Sequence, residues 1–265
     1  MKKLEKHLFR ESTLKDELLY LTGRHRGGLK STEKLVELCH LEHGGYVLDV
    51  GCGVGTTPCY LAKKYGCKVV GVDLNEKKIQ WSKERAEKEV IDDLVEFKVA
   101  DAQNLPFEEY LFDVVIAEAV NVYVSNKQKA LNEYVRVLKP GGYVGLHEGT
   151  WIRTPTKEII DLFIKTNQQV FSAGFQGYDY WMNEFTSDGW VNLLKNAGLK
   201  EINATSYKST SKTRLDGLKT IGLKHITKAS FLYIISPTFR KMINKNVPKE
   251  ILEYYGDGIF VGKKV

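Results

Sequence analysis

The stretch Tyr46-Val-Leu-Asp-Val-Gly-Cys-Gly-Val-Gly-Thr-Thr57 decides how this chain folds. A strand-like run carrying Asp49 leads into glycines at every second position, Gly51, Gly53 and Gly55, and then into Thr56, Thr57 and Pro58. In order, this reads as a strand, a tight loop and a helix start. The glycines permit positive φ and let a ligand come close without Cβ atoms in the way. Pro58 suits the first helical position, where its missing N–H is not needed, and Thr57 is placed to cap the same turn. A second strand, Lys68-Val-Val-Gly-Val-Asp73, ends in an acid 22 residues after Gly51. Such a unit binds the adenosine part of a cofactor, with loop amides facing the ligand and the second acid accepting hydrogen bonds from ribose hydroxyls.

The spacing is G-x-G-x-G, with Thr56 where a dinucleotide fingerprint has its third glycine. Asp49 lies two residues before the first glycine, within the ligand's reach. A carboxylate there repels a pyrophosphate and attracts an ammonium or sulfonium group. That argues against NAD and for S-adenosylmethionine (SAM), which carries both cations and leaves S-adenosylhomocysteine as product.

At 265 residues the chain buries one large core, and one domain with insertions is the expected arrangement. With 43% apolar and 27% charged residues, wholesale disorder is excluded. The apolar run Phe231-Leu-Tyr-Ile-Ile235 is far short of a membrane span, and the first residues lack the apolar core of a signal peptide. Cys39, Cys52, Cys59 and Cys67 form no C-x-x-C pair, so dispersed thiols in a reducing cytosol are expected, with no structural metal. The net charge of +6 is uneven. From Lys208 to Glu250 there are ten Lys/Arg and two acids, a local +8, so the remainder carries about −2.

Residues 1–45 read as a helical cap, with Leu14, Leu18 and Leu21 on one face and Leu35, Leu38 and Cys39 on another. Between them Gly23-Arg-His-Arg-Gly-Gly28 is either a solvated turn or, with Tyr20, a cover for the SAM carboxylate. From 46 onward strands and helices alternate, the pattern of a doubly wound, mostly parallel sheet. A helix over 57–65 stops at Gly66. The next starts at Asn75 as N-cap, with Ile79, Ser82, Ala86 and Val90 on its buried side. Strands follow at Val95–Ala100 and Phe112–Ala117, the latter an apolar run suited to burial on both faces. Ser125 and Gln128 form a capping box for a helix burying Leu131, Tyr134, Val135 and Leu138, and Lys139-Pro-Gly-Gly142 turns the chain into a strand over Tyr143–His147.

Five segments in register, Val47-Leu-Asp-Val-Gly-Cys-Gly-Val-Gly55, Val72-Asp73, Ala100-Asp-Ala-Gln-Asn-Leu-Pro-Phe107, Phe112-Asp-Val-Val115 and Arg136-Val-Leu-Lys-Pro-Gly-Gly142, resemble the successive motifs of class I SAM-dependent methyltransferases. The nearest branch is similar to the ubiquinone/menaquinone-biosynthesis type, which includes many small-molecule C- and O-methyltransferases. The resemblance implies a seven-stranded Rossmann-like methyltransferase fold with helical cap insertions. It implies that Asp49 and the loop Gly51, Gly53, Gly55 hold the methionine end, with Thr56 or Thr57 near its carboxylate. Asp73 would pair with the ribose and Leu74 pack on adenine. Asp101, Ala102 and Gln103 would meet the adenine edge, and Glu118 would lie beside the methionine portion.

The family core is expected over 46–207 and 256–265, with an aromatic cap segment at 151–186 and a basic helical lid at 208–255. The cap contains an amphipathic helix over Thr156–Phe171 and seven rings between Phe171 and Trp190, which serve as a small cap core, a pocket wall, or both. Thr186 opens a helix that Gly198 ends, strand 6 spans 199–207 and strand 7 spans Gly258–Gly262. Between those two strands the family expects a tight hairpin; this chain inserts the basic segment instead, with Leu215, Leu218, Ile221, Phe231, Leu232, Ile235, Phe239, Met242 and Ile243 as its apolar side. Three readings of it stand open: a solvated lid face, peripheral contact with anionic membrane, and attraction of an anionic or nucleic-acid substrate.

Methyl transfer is an in-line displacement, so alignment of nucleophile and methyl carbon supplies most of the effect, and a base is needed only for some acceptors. Candidates at the carboxyl edge are Glu118, Asn121, Tyr123, His147 and Glu148, of which Glu118, Tyr123 and His147 are the expected catalytic set. The sequence thus points to a SAM-dependent methyltransferase acting on a small molecule, such as a quinone-, lipid- or isoprenoid-like metabolite, with a cytoplasmic location. The alternatives are a nucleic-acid methyltransferase, a non-catalytic SAM- or lipid-binding protein, and a dehydrogenase. Against the first, Ala117-Glu-Ala-Val-Asn-Val-Tyr123 departs from the N/D-P-P-Y/F of base aminomethylases.

Overall fold

The computed structural model describes residues 28–172, 186–208, 223–235 and 248–265. Tyr20, Leu14, Leu18 and Leu21, the aromatic residues from Phe175 to Phe185, and the insertion's Leu215, Leu218, Ile221, Phe239, Met242 and Ile243 lie outside the described residues. The described elements are α1 (Gly28–Leu38), β1 (Tyr46–Val50), α2 (Thr56–Tyr65), β2 (Lys68–Asp73), α3 (Glu76–Glu89), β3 (Val95–Val99), β4 (Phe112–Glu118), a 3₁₀ turn (Asn121–Tyr123), α4 (Lys127–Val137), β5 (Leu138–Trp151), α5 (Lys157–Ser172), α6 (Ser187–Asn196), β6 (Lys200–Tyr207), α7 (Leu223–Ile235), α8 (Ile251–Tyr254) and β7 (Tyr255–Lys263).

The sheet has seven strands in the order β3-β2-β1-β4-β5-β7-β6. β7 runs antiparallel to both β5 and β6, and the other pairings are parallel. Chain progression reverses between β1 and β4, so their carboxyl ends open the crevice where such sheets take ligands. Successive side chains alternate faces, and both faces are buried. One carries Leu48, Val50, Val70, Val72, Val115 and Ala117, packed with Leu131 and Tyr134 of α4 and Trp190 and Leu194 of α6. The other carries Val47, Val69, Val114 and Ile116, packed with Leu35 of α1, Leu61 of α2 and Ile79 of α3. Asp49, Asp73, Glu118 and His147 fall on this second face by strand parity, beneath the first three helices.

Several local expectations need correction. Gly55, with φ 74, is the N-cap of α2, and no side chain caps it. Thr57 donates instead to Glu118 Oε2 at 3.0 Å. Asn75 does cap α3, accepting from Lys77 N and Lys78 N. Val90, however, is not on the buried side: it ends α3 in the left-handed region and is 82% exposed, while Ile91 is buried. α4 is capped by Asn126, which accepts from Lys129 N at 2.9 Å, and not by a Ser125/Gln128 box. Ser125 donates to Gln103 Oε1 and Gln128 donates to Asn132 Oδ1, contacts that compete with the box. Lys139-Pro-Gly-Gly142 does not precede β5 but lies within it, where the register against β4 shifts between Phe112 and Val114. In the inserted segment α7 buries Leu232 and leaves Phe231 half exposed.

Candidate cofactor and acceptor site

The site assembles from strand ends that the sheet order makes adjacent. Asp49 pairs in register with Gly71 and Ile116, and Glu118 with His147. Asp73 organises the glycine loop. Its Oδ2 accepts from Gly53 N at 3.1 Å and its Oδ1 from Asn75 N at 2.9 Å, and Lys78 Nζ lies 3.7 Å from Oδ2. Each carboxylate oxygen keeps a further lone pair for a ribose hydroxyl. Gly51 N and Cys52 N both donate to Val72 O, which folds the loop back over β2.

The glycines answer to packing as well as to ligand access. At Gly51, with φ 72, an added Cβ would lie 2.1 Å from Val120 Cγ2, because the loop after β4 rests on it. At Gly55, with φ 74, it would lie 2.9 Å from Ser82 Cβ and 3.1 Å from Phe97 Cζ. Thr56 is partly buried, and its Oγ1 has no hydrogen-bond partner among the described residues.

Asp49 is buried, and among the described residues its carboxylate accepts no hydrogen bond. Burial, then the charges of Glu118 and Asp73, push its carboxyl well above the usual aspartate range. The group is therefore an acid held in wait for a positive charge. Glu118 is also buried, with two hydroxyls upon it: Thr32 Oγ1 from α1, at 3.1 Å and 3.0 Å from its two oxygens, and Thr57 Oγ1. His147 Nδ1 lies 3.9 Å from Glu118 Oε1, and His147 Nε2 lies 2.9 Å from the Tyr207 hydroxyl, whose ring stacks on the imidazole.

On the opposite face Glu148 anchors the loop between β4 and the 3₁₀ turn. It is fully buried, and its Oε1 accepts from Val120 N, Asn121 N and Asn121 Nδ2. Tyr134 donates to Asn121 Oδ1 and completes that anchor. Burial raises the Glu148 carboxyl from 4.5 to about 7 against the pull of those donors. The backbone turn that Glu148 secures places Ala119 at φ 57.

The remaining predicted residues that the structure describes follow β2, β3 and β4 in the chain. Leu74 is 56% exposed and follows Asp73 directly in the chain. Ala102 is buried. Asp101 turns inward on its own loop, accepting from Gln103 N at 2.9 Å, and Gln103 Oε1 in turn accepts from Ser125 Oγ and Asn126 N. Tyr123 ends the 3₁₀ turn, 39% exposed at the rim. The structure thus brings Asp49, Asp73, Glu118, Thr57 and His147 together on one face. It adds Thr32 and Tyr207, which sequence reasoning missed, because nothing local marks a contact spanning 86 or 60 residues.

The arrangement fits SAM: a buried acid that could meet a cation, a second acid that shapes the glycine loop, a Thr56 hydroxyl with no partner among the described residues, and an exposed apolar side chain at Leu74. Comparisons with known proteins agree. Residues 48–146 match the family described as "Methyltransferase domain". An uncharacterized protein of Haemophilus influenzae is 31% identical over 186 residues, covering 69% of this chain and 70% of its own length. Phosphoethanolamine N-methyltransferase 1 of Zea mays is 33% identical over 176 residues, 66% of this chain; the match spans only 32% of that longer protein. Among solved structures, phosphoethanolamine N-methyltransferase 2 of Haemonchus contortus in complex with SAM superimposes with a TM-score of 0.72 at 21% identity, over 98% of this chain and 59% of that one. Residues 48–146 thus form a methyltransferase domain, and the chain shares the fold of a methyltransferase solved with SAM bound.

Proposed function

We propose that this enzyme methylates a small-molecule acceptor admitted to the carboxyl edge of β4, β5 and β6, over Glu118, His147 and Tyr207. The observation that carries the reading is the buried Asp49, flanked by Asp73 and Glu118 and meeting no hydrogen-bond donor among the described residues. Asp49 and Glu118 would hold the methionine end, Thr56 its carboxylate, Asp73 the ribose, and Leu74 with Ala102 the adenine. Bound SAM supplies an electrophilic methyl group on a sulfonium. The chain's own part is to align the acceptor and exclude water, where most of the rate advantage in such displacements arises. An acceptor that must lose a proton would pass it to His147, directly or through the Tyr207 hydroxyl. Glu118, 3.9 Å from Nδ1, stabilises the imidazolium so formed. Tyr123 is proposed to act on the acceptor with Glu118 and His147, and Tyr20 to cover the SAM carboxylate.

The resemblance to the quinone-biosynthesis branch supports a quinone- or isoprenoid-like acceptor, and the named relatives support an amine such as phosphoethanolamine. Incubation with labelled SAM and a fractionated metabolite extract, followed by mass identification of the labelled product, tests both. Incorporation into no small molecule, with incorporation into RNA or DNA, refutes the proposal. Phe231 and Ile234, 50% and 70% exposed on α7 within the basic stretch, further support contact of residues 208–250 with anionic membrane. Co-sedimentation with phosphatidylserine vesicles, compared with neutral ones, tests that contact.

A further inference from the structure

Helix α1 reaches the site through two consecutive residues. Ser31 and Thr32 are both buried, Thr32 completely. Ser31 lies beside Tyr207, whose hydroxyl meets His147 Nε2. Thr32 Oγ1 lies 3.1 Å and 3.0 Å from the two oxygens of Glu118. The other hydroxyl on Glu118 is that of Thr57, in the first turn of the helix that leaves the glycine loop. Glu118 is therefore held from two sides, one belonging to the cofactor loop and one to α1. Further along α1, Leu35 and Val36 are anchored in the apolar core with Cys39, so the helix axis is fixed by packing. Valine has nearly the volume of threonine, so the hydroxyl at position 32 is not needed to fill space. What it adds is a hydroxyl that meets both oxygens of the Glu118 carboxylate.

We infer that Thr32 is a positioning residue for cofactor binding: α1 orients the Glu118 carboxylate through it, and SAM affinity depends on that orientation. The inference rests on the reading that Glu118 faces the methionine end of SAM. It assigns α1 a role in the site that the glycine loop and its acids do not reveal, and it makes the two-sided grip on Glu118 the link between helix placement and affinity.

Calorimetric titration of the full chain with SAM tests it in five proteins: wild type, Thr32→Val, Thr32→Ser, Glu118→Gln and the Thr32→Val/Glu118→Gln double variant. Loss of one hydrogen bond to a charged group, partly offset by Thr57, predicts about 5- to 15-fold weaker binding in Thr32→Val. Thr32→Ser, which keeps the hydroxyl, stays within about 2-fold of wild type. On the Glu118→Gln background, adding Thr32→Val changes affinity by less than about 2-fold, since both act through one contact. Unchanged binding in Thr32→Val, with weakened binding in Glu118→Gln, overturns the role of Thr32 alone. Unchanged binding in Glu118→Gln overturns the reading of Glu118 and the inference with it. The same factor for Thr32→Val on both backgrounds shows an effect of packing and also overturns the inference. Should Thr32→Val fail to fold, Thr32→Ala is read against the same thresholds.

Discussion

Replacing Glu148 by glutamine removes one titration from a fully buried position while leaving the loop anchor in place. The glutamine carbonyl takes over from Oε1, which accepts from Val120 N, Asn121 N and Asn121 Nδ2. The amide nitrogen falls where Oε2 lies, an atom with no hydrogen-bond partner among the described residues. That misfit costs about 1–3 kcal/mol, equally at every pH. The pH dependence is another matter. In the folded chain Glu148 titrates at about 7 instead of 4.5, because burial disfavours its charge. A carboxyl raised in this way stabilises the fold below its unfolded value and loses that contribution as pH climbs through about 7. At about 1.4 kcal/mol per pH unit, the interval amounts to about 3 kcal/mol, of which about 2.5 falls between pH 5 and 8. Urea unfolding of the ligand-free protein at intervals across that range gives the comparison. The wild type should lose about 2.5 kcal/mol more than Glu148→Gln on going from pH 5 to pH 8. Parallel stability profiles for the two proteins would refute the reasoning, since they would show that Glu148 binds its proton no more tightly folded than unfolded.

Three further outcomes are expected. Asp49→Asn should weaken SAM binding by about 30-fold or more by calorimetry, the effect of one lost charge-assisted contact; because burial and neighbouring charges raise the Asp49 carboxyl, the same variant should make the ligand-free fold more stable at pH 8 and little changed at pH 4. Wild-type SAM binding should tighten as pH rises, with release of protons read from heats in buffers of different ionisation enthalpy, and that release should vanish in Asp49→Asn. Gly51→Ala places a Cβ 2.1 Å from Val120 Cγ2 at φ 72, so unfolding should be easier by about 2–4 kcal/mol in urea titrations, with SAM affinity reduced as the loop shifts.

The elements whose signals are local were legible in the sequence: the strand-loop-helix around Gly51, the Asn75 cap, the apolar run of β4. Misreadings came where one part of the chain answers to another. Thr57 has the chemistry of a cap, but a buried carboxylate 61 residues away takes its hydroxyl. Gly51 and Gly55 read as room for a ligand, and Val120, Ser82 and Phe97 fill much of that room. Val90 continues the helical periodicity of α3, yet the helix stops there in a left-handed turn that puts Ile91, not Val90, in the core. Pro140 and its glycines look like a break, and the sheet absorbs them as a register shift within β5. In the site, the acids at strand ends were visible because charge at the end of an apolar strand is conspicuous. Thr32 and Tyr207 were not, because only the closed sheet and α1 bring them to Glu118 and His147.

β7 runs opposite to its neighbours, and it is wedged between β5 and β6. The polypeptide therefore leaves the sheet after Tyr207 and re-enters it at Tyr255 on the same rim, with Tyr207 and Asp257 paired across the two strands. Before that return, Tyr254 O accepts from Ile152 N at 2.8 Å, extending the pairing of β5 and β7 by a further bond. Ile251, fully buried, ties the end of the 208–254 connection into the main core, so the chain's return to the sheet is held by the same packing as the strands it joins.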